Sequence, residues 1–345
     1  MKKNLNFTDP FVAQNPDDAL IMSLLSTYHL ENELLESFWD IGAMMFFDGI
    51  YYYDTHLWTR TESIKKRTVL YQSISKENIV SVLINLIDNG EYGHLMVDRS
   101  EIGIFKEKVK NRFLHPITVL GYDEEAQRFT LIDFIENRYR KFICSFSDME
   151  RAYEGTLESL VDCQLKEWEI FSVCETEKKV ANVRNIKEKI ANFLSGKVDD
   201  VYFDIMNTGK VRRMSGEGIY YEILPQRIDL GAGVLTGIEE HMNHTLLDPG
   251  KYAFELKALY LIYANAKLLK FRVEIIRKNG RIGEEKIKEL YKQTCKNLQN
   301  SESMLNLGVK YKIGQREKDL GKAIEYMSQV VDQQFEILNS LLTVL

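Results

Sequence analysis

The stretch that decides the fold is Phe113-Leu-His-Pro-Ile-Thr-Val-Leu-Gly-Tyr-Asp-Glu-Glu125, followed closely by Phe129-Thr-Leu-Ile-Asp-Phe134. Alternating apolar residues on both sides of a polar turn predict a β-hairpin. His115 lies at the start of the first strand and Asp133 near the end of the second. Antiparallel pairing can therefore bring these two side chains together.

His115 and Asp133 are the candidate catalytic residues. A carboxylate beside an imidazole holds the ring in one tautomer and makes it a better base, as in the inner pair of a nucleophile–His–Asp triad. The alternative is a half-buried hairpin in which the histidine only satisfies a backbone group. The spacing is compatible with both. We expect the pair to meet across a pocket roofed by the opening helix, with His94 as an isolated histidine near the same cleft.

The order of these motifs resembles the second half of a papain-like cysteine peptidase domain: a histidine, then Gly121-Tyr-Asp123, then a hydrophobic strand ending in Ile132-Asp133. More narrowly, it is similar to the family typified by the N-terminal domain of butirosin biosynthesis protein H. Asp98, in Gly93-His-Leu-Met-Val-Asp98, resembles the acid on the short strand that precedes the histidine in that family. The resemblance covers roughly residues 10–155, and the rest of the chain only by architecture.

The resemblance implies a role in specialised-metabolite assembly. In that family the fold is used for acyl transfer from a carrier-protein thioester in antibiotic biosynthesis, and not for proteolysis. The implied partners are an acyl or peptidyl carrier protein, bound through its phosphopantetheine thioester, and an amine acceptor. We expect no cofactor.

The chain departs from the family at the nucleophile, which is a cysteine at the N-terminus of the first long helix, where the helix dipole and the histidine lower its pKa. Here that helix is predicted to begin at Asn15-Pro-Asp-Asp18, with asparagine as N-cap, proline in the first turn and two acids that complement the dipole. No cysteine precedes Cys144. Any residue from 13 to 18 can hold the place of the nucleophile, and we assign Asn15, Asp17 and Asp98 to substrate binding.

Three functions stay open. The first is acyl transfer in which His115 and Asp133 act as a general base on the incoming amine. The second is a binding or scaffolding protein that keeps the peptidase-like fold without chemistry, which the missing cysteine favours. The third and weakest is a genuine peptidase, because it depends most on the nucleophile.

Charge and composition exclude other classes. The chain has 345 residues and a net charge of −6, which argues against a nucleic-acid partner that depends on a basic field. Two basic patches, Lys65-Lys-Arg67 and Lys210 to Arg213, could attract an acidic carrier protein. No window approaches the length of a membrane span, and Met1-Lys-Lys precedes polar residues, so we expect a cytoplasmic protein that does not enter a membrane.

The four cysteines have neither metal-type spacing nor the pattern of a disulfide framework. A metal site at His241 and His244, which are three residues apart, is a minor alternative. We therefore expect no bound metal.

The predicted fold class is α+β: a papain-like domain at 1–176, with helices packed on an antiparallel sheet, and a mainly helical domain at 177–345 with an antiparallel bundle from about 250. Residues 49–54 are predicted to form an aromatic turn, and the two glycine-rich motifs 216–221 and 231–237 to form loops. The predicted helices are Asp17–Tyr28, Glu31–Phe47, Lys76–Asn89, Phe146–Leu160 and Val180–Leu194, and further strands are Leu95–Val97 and Trp168–Cys174.

The last hundred residues carry three apolar stripes with spacings of three and four, typical of an antiparallel helix bundle. The stripes run from Leu259 to Ile276, from Ile287 to Leu305 and from Leu320 to Leu345. The second is weaker and is predicted to be interrupted by turns, and Gln334 is a polar exception in the third. The apolar end of the bundle suggests burial against a neighbour, so a homodimer is a further hypothesis.

Overall fold

The computed structural model describes residues 1–13, 15–37, 39, 41–46, 49–54, 61–106, 111–136, 138–159, 167–174, 181–197, 211–214, 220–223, 227–280 and 283–345. Helices accompany antiparallel sheets and the last three helices are long, so the α+β prediction is confirmed at that level. Within these described stretches, no helix combines the length and the apolar character needed to cross a bilayer.

The secondary structure is numbered here in chain order. The strands are β1 (Lys2–Asn4), β2 (Ile41–Phe46), β3 (Gly49–Asp54), β4 (Ile64–Leu70), β5 (Tyr92–Asp98), β6 (Leu114–Asp123), β7 (Arg128–Ile135), β8 (Arg138–Ser145), β9 (Glu167–Val173), β10 (Val211–Met214), β11 (Tyr220–Ile223) and β12 (Arg227–Leu230). The α-helices are α1 (Pro16–Thr27), α2 (Lys76–Asp88), α3 (Gly103–Lys106), α4 (Phe146–Ser159), α5 (Val183–Leu194), α6 (Ala232–Leu247), α7 (Leu256–Lys278), α8 (Glu284–Gly314) and α9 (Glu317–Val344). Short 3-10 turns lie at Glu31–Leu35, Tyr71–Ser73 and Arg99–Glu101.

The chain divides into two compact units, Met1–Leu30 with Trp58–Lys178 and Glu31–Leu57 with Lys179–Leu345. The difference from the predicted division at 176/177 is the segment Glu31–Leu57, which groups with the C-terminal part. The reason is strand pairing, because β2 of this segment pairs with β12.

The N-terminal unit is built on one antiparallel sheet with the strand order β4-β9-β5-β6-β7-β8, and β1 pairs with β6. The predicted hairpin is present as β6 and β7, with a register shift between Val119 and Gly121. The third strand, β8, extends the hairpin into a meander. The helices predicted around residues 17–28, 76–89 and 146–160 are all present as α1, α2 and α4.

The sheet has two distinct faces because successive strand residues point to opposite sides. On what we call the core face, Leu95, Ile117 and Leu131 pack with side chains of α2 and α4 in the main hydrophobic cluster. His94 and Thr118 point to the other side, where Asp17 of α1 contacts His94. We call this side the α1 face.

Two predictions in the second unit are wrong. The helix expected at Glu31–Phe47 is a short 3-10 turn followed by strand β2, and the expected turn at 49–54 is strand β3. A short apolar run does not distinguish a strand from a helix, and here pairing with β12 decides the outcome.

The glycine-rich segment after Gly231 is helix α6 and not a loop. Gly231 precedes the helix with a φ of 55°, and a side chain there would collide with the Phe193 carbonyl. The glycine therefore permits the turn that starts the helix. Of the other motif predicted as a loop, residues 216–219 lie outside the described part of the chain, and Tyr220 and Tyr221 belong to strand β11.

The three C-terminal helices α7, α8 and α9 confirm the predicted bundle segments. The turns predicted within the second stripe are absent, since α8 is continuous from Glu284 to Gly314. The polar exception Gln334 is fully buried, and it accepts a hydrogen bond of 2.7 Å from Asn265 Nδ2. This pairing satisfies the amide within the bundle.

Candidate functional site

His115 lies near the start of β6, opposite Val97 of β5. Because Val97 belongs to the hydrophobic cluster, the imidazole lies on the core face. Its side chain is 22% exposed and stacks on the ring of Phe113 at a centroid distance of 5.8 Å. The histidine therefore lies where the core meets solvent.

Asp133 lies on β7 and is fully buried. Its Oδ1 is 3.2 Å from His115 Nδ1, and the same nitrogen hydrogen-bonds to the Pro116 carbonyl oxygen at 3.1 Å. Both neighbouring oxygens can only accept, provided that the carboxylate is ionised, so Nδ1 carries the proton. The neutral ring then has its lone pair on Nε2, for which the described residues offer no hydrogen-bond partner.

Arg99 balances the charge of Asp133. Its Nε donates to Asp133 Oδ2 at 2.8 Å, and its Nη2 contacts the same oxygen and donates to the Phe134 carbonyl at 2.7 Å. The guanidinium lies 4.4 Å from the centroid of the Phe105 ring. Removing one partner from a buried ion pair leaves an uncompensated charge, which costs about 3–5 kcal/mol. Arg99 and Asp133 therefore act as a unit.

Asp98 holds the turn that begins with Arg99. Its Oδ1 accepts hydrogen bonds from the backbone N–H and the hydroxyl of Ser100, at 3.0 and 2.7 Å, and from the Phe113 N–H at 3.1 Å. The side chain is 2% exposed. Burial and these bonds explain Asp98 as a cap of the turn, and its predicted contact with substrate stays a prediction.

A second histidine–aspartate pair lies on the α1 face. His94 Nε2 is 2.7 Å from Asp17 Oδ1, and its Nδ1 is 2.8 Å from the hydroxyl of Thr118. The His94 side chain is 4% exposed, and its ring meets Phe171 edge-on. With an ionised carboxylate as acceptor, Nε2 carries the proton, and Nδ1 of the neutral ring accepts from Thr118. Both nitrogens are occupied.

This second pair corrects two expectations. His94 is not isolated, and the opening helix does not roof the His115 pair. The start of α1 lies against His94, which points to the other face because it is the neighbour of Leu95 on β5. The two-residue period of the strand separates the two sites.

Asn15 is the predicted N-cap of α1. Its Oδ1 accepts from the Asp18 N–H at 2.8 Å, and its Nδ2 donates to the Asp18 carboxylate at 2.6 Å. Asp17 is the second residue of the helix, and its side chain is 34% exposed. The capping prediction is confirmed, whereas substrate contacts of Asn15 and Asp17 stay predictions.

Cys144 is the first cysteine of the chain and lies within the hydrophobic cluster on β8. Burial raises the pKa of its thiol to about 12. A thiol with this pKa is protonated at neutral pH and is a poor nucleophile. Cys163 lies outside the described residues.

The remaining candidate ligand groups have other partners. His241 Nε2 lies 3.0 Å from the Ala253 carbonyl, and His244 stacks on Tyr252. In the part of the chain that is described, no group of three or more His, Cys, Asp or Glu side chains could hold a metal ion.

The predicted basic patch at residues 65–67 is largely neutralised. Lys66 pairs with Glu169 at 2.9 Å, and Arg67 pairs with Glu91 at 2.6 Å. In the other patch, Lys210 lies outside the described residues.

Arg99 was missed by the sequence reasoning, and His94 was placed near the cleft without a partner. Arg99 directly follows Asp98 at a strand end, a position from which a side chain can fold back onto the sheet. His94 alternates with Leu95 in a strand, so the period of two already placed it on the opposite face. In both cases the contact depends on an element that is distant in the chain, which is β7 for Arg99 and α1 for His94.

Comparison with models of known protein families gave no match, and no similar characterised protein was found.

Proposed function

We propose that the N-terminal unit has a papain-like fold and transfers an acyl or aminoacyl group from a carrier-protein thioester to an amine. The observation that carries the proposal is the 3.2 Å contact between His115 Nδ1 and the buried Asp133 carboxylate, with Nε2 left for a substrate. The motif order around His115, which resembles the acyl-transferring family, supplies the substrate class, although the histidine beside the start of the first helix, the place of the catalytic histidine in that family, is His94 and not His115.

In the proposed reaction His115 acts as a general base. The amine nitrogen attacks the thioester carbonyl carbon while Nε2 of His115 takes a proton from the amine. The C–N bond forms, the C–S bond breaks, and the imidazolium returns the proton to the thiolate of the phosphopantetheine arm. General-base catalysis contributes typically about 10²–10⁴-fold, and holding the two substrates together adds to this.

No acyl-enzyme is proposed at residues 13–18. The start of α1 lies against His94, on the face opposite His115, so a nucleophile there has no contact with the proposed base. A thioester is already activated, and direct attack by an amine needs no covalent intermediate. The missing cysteine is compatible with this single-step route.

The second candidate is a scaffold of the same fold without chemistry. The observation that favours it is the ion pair of Asp133 with Arg99, because such a pair fixes the β7 region whether or not His115 reacts. The two candidates differ in what happens when only the imidazole is removed.

The deciding experiment measures acyl transfer from a thioester-loaded carrier protein to amines by mass spectrometry, for the wild type and His115→Gln. We expect the variant to keep its fold and lose about 10²–10⁴-fold in rate. The control is His29→Asn, an exposed histidine of the same unit whose positive φ asparagine tolerates. A rate that His115→Gln leaves unchanged contradicts the proposal, and binding of the carrier without any transfer favours the scaffold.

A further inference from the structure

We infer that Arg99 is a positioning residue of the His115 site, which fixes Asp133 and offsets the attraction of this carboxylate for a proton on the imidazole. Asp98 in turn positions Arg99. The link to catalysis rests on the proposed function, whereas the effect of Arg99 on the imidazole does not.

The two oxygens of Asp133 have separate tasks. Oδ2 receives both donors of Arg99, and Oδ1 faces His115 Nδ1 and the N–H of Phe134. Because Asp133 is fully buried, no water replaces either set of contacts. The carboxylate can therefore rotate only if Arg99 moves.

Arg99 itself is held on several sides. Nη2 donates to the Phe134 carbonyl, and the guanidinium lies over Phe105, with Phe113 6.0 Å away. Its backbone N–H donates to the Phe113 carbonyl at 2.9 Å, next to the contacts that Asp98 makes. Since Phe113 also stacks on His115, the same turn places both the cation and one wall of the imidazole.

The charge of Arg99 opposes protonation of His115. With Arg99 and Asp133 both ionised, the group is neutral when the imidazole is neutral and carries +1 when it is protonated. Without Arg99, the carboxylate alone would attract the imidazolium. An arginine bound to the far oxygen therefore keeps the carboxylate as an orienting group while it cancels much of its pull on the proton.

Other charged groups on this part of the unit have partners of their own among the described residues. Arg112 pairs with Glu158, and Arg140, opposite Asp133 on β8, pairs with Glu136 at 3.3 Å. Asp98 faces Arg112 at 3.6 Å. This leaves Arg99 and Asp133 as the charges in contact with the His115 site.

The experiment follows the Cε1–H NMR signal of His115 from pH 4 to 9 in the whole protein. In Arg99→Gln we expect the titration midpoint to rise by about one pH unit, a tenfold change in proton affinity, because the carboxylate loses its cation. In Asp133→Asn we expect the midpoint to fall. Arg99→Lys keeps the charge and should stay within a few tenths of a unit of the wild type. The His94 signal, on the other face, is the internal control and should not move.

A midpoint that is unchanged in Arg99→Gln, or that moves the same way in both variants, overturns the inference. If Arg99→Gln does not fold, Arg99→Met, which is also neutral and keeps an unbranched side chain over Phe105, takes its place with the same expected rise of the midpoint. The acid limb of the rate–pH profile for acyl transfer should move with the NMR midpoint. If the NMR midpoint moves and no variant transfers acyl groups, the inference about Arg99 stands and the proposed function fails.

Discussion

The two histidine–aspartate pairs of the N-terminal unit differ in which member is more deeply buried and in which ring nitrogen faces the carboxylate. On the core face, His115 points its N–H toward a fully buried carboxylate, and Nε2 has no hydrogen-bond partner among the described residues. On the α1 face, His94 points its N–H toward the partly exposed Asp17 and gives its other nitrogen to Thr118. The same two residue types thus form one site that can accept a proton from a ligand and one that joins a helix to a sheet.

What separates the two pairs is the location of the buried partner. The carboxylate beside His115 is more deeply buried than the ring, and Nε2 of this ring has no partner among the described residues. His94 is more deeply buried than its carboxylate, and both of its nitrogens have protein partners. A short His–Asp distance is therefore not sufficient evidence of catalysis, since the shorter distance here belongs to the structural pair.

The largest expected effect comes from Asp133, and Asp17 is its comparison. Asp133→Ala leaves Arg99 buried without its anion and should lower the free energy of unfolding by about 3–5 kcal/mol. Asp17→Ala removes a partly exposed acceptor and should cost about 1–2 kcal/mol. Urea unfolding followed by circular dichroism compares them, and equal losses would show that the two pairs do not differ in burial as described.

The two histidines should respond in the opposite order. His94→Ala removes two hydrogen bonds and leaves the buried hydroxyl of Thr118 without its acceptor, so we expect a loss of about 2–3 kcal/mol. His115→Ala removes a partly exposed ring and should cost about 1 kcal/mol or less. A larger loss for His115 in the same unfolding experiment would reverse the assignment of structural and chemical roles.

The smallest expected effect concerns the start of α1, which carries Asp17. Asn15→Ala deletes a cap that bonds the Asp18 N–H and should cost about 1 kcal/mol. The matched control is Ser75→Ala at the start of α2, where the side chain makes no bond to the helix N–H groups. The unfolding temperatures of the two variants should differ by a few degrees. If Ser75→Ala lowers the unfolding temperature as much as Asn15→Ala, the Asn15 cap does not contribute to stability as described.

The fold was predictable where the apolar pattern of a segment and the pairing of its strands both depend on residues that are close in sequence. The hairpin β6–β7 has alternation and a polar turn in one stretch, so the two strands that carry His115 and Asp133 were predictable, although the paired register reaches only Thr118–Ile132 and the two residues are not direct cross-strand partners. The caps and the long C-terminal helices are equally local. The site beyond this pair was not predictable, because Arg99 and His94 depend on the pairing of β5 with β6 and on the docking of α1. Those contacts join residues that are far apart in the chain.

The helix prediction for residues 41–46, which form strand β2, was wrong for the same reason. The apolar run of this segment has no intrinsic preference strong enough to choose helix or strand, and the choice falls to β12, almost two hundred residues later.

The central claim is that Nε2 of His115 is accessible to a ligand as a proton acceptor and that both nitrogens of His94 are held by protein partners. Diethyl pyrocarbonate, which acylates the unprotonated nitrogen of a neutral imidazole, tests this on the native protein at pH 7, with peptide mass spectrometry to locate the product. The account predicts that His115 is modified at least about tenfold faster than His94, whose reaction requires local opening of the structure. Modification of His94 at an equal or higher rate would contradict it.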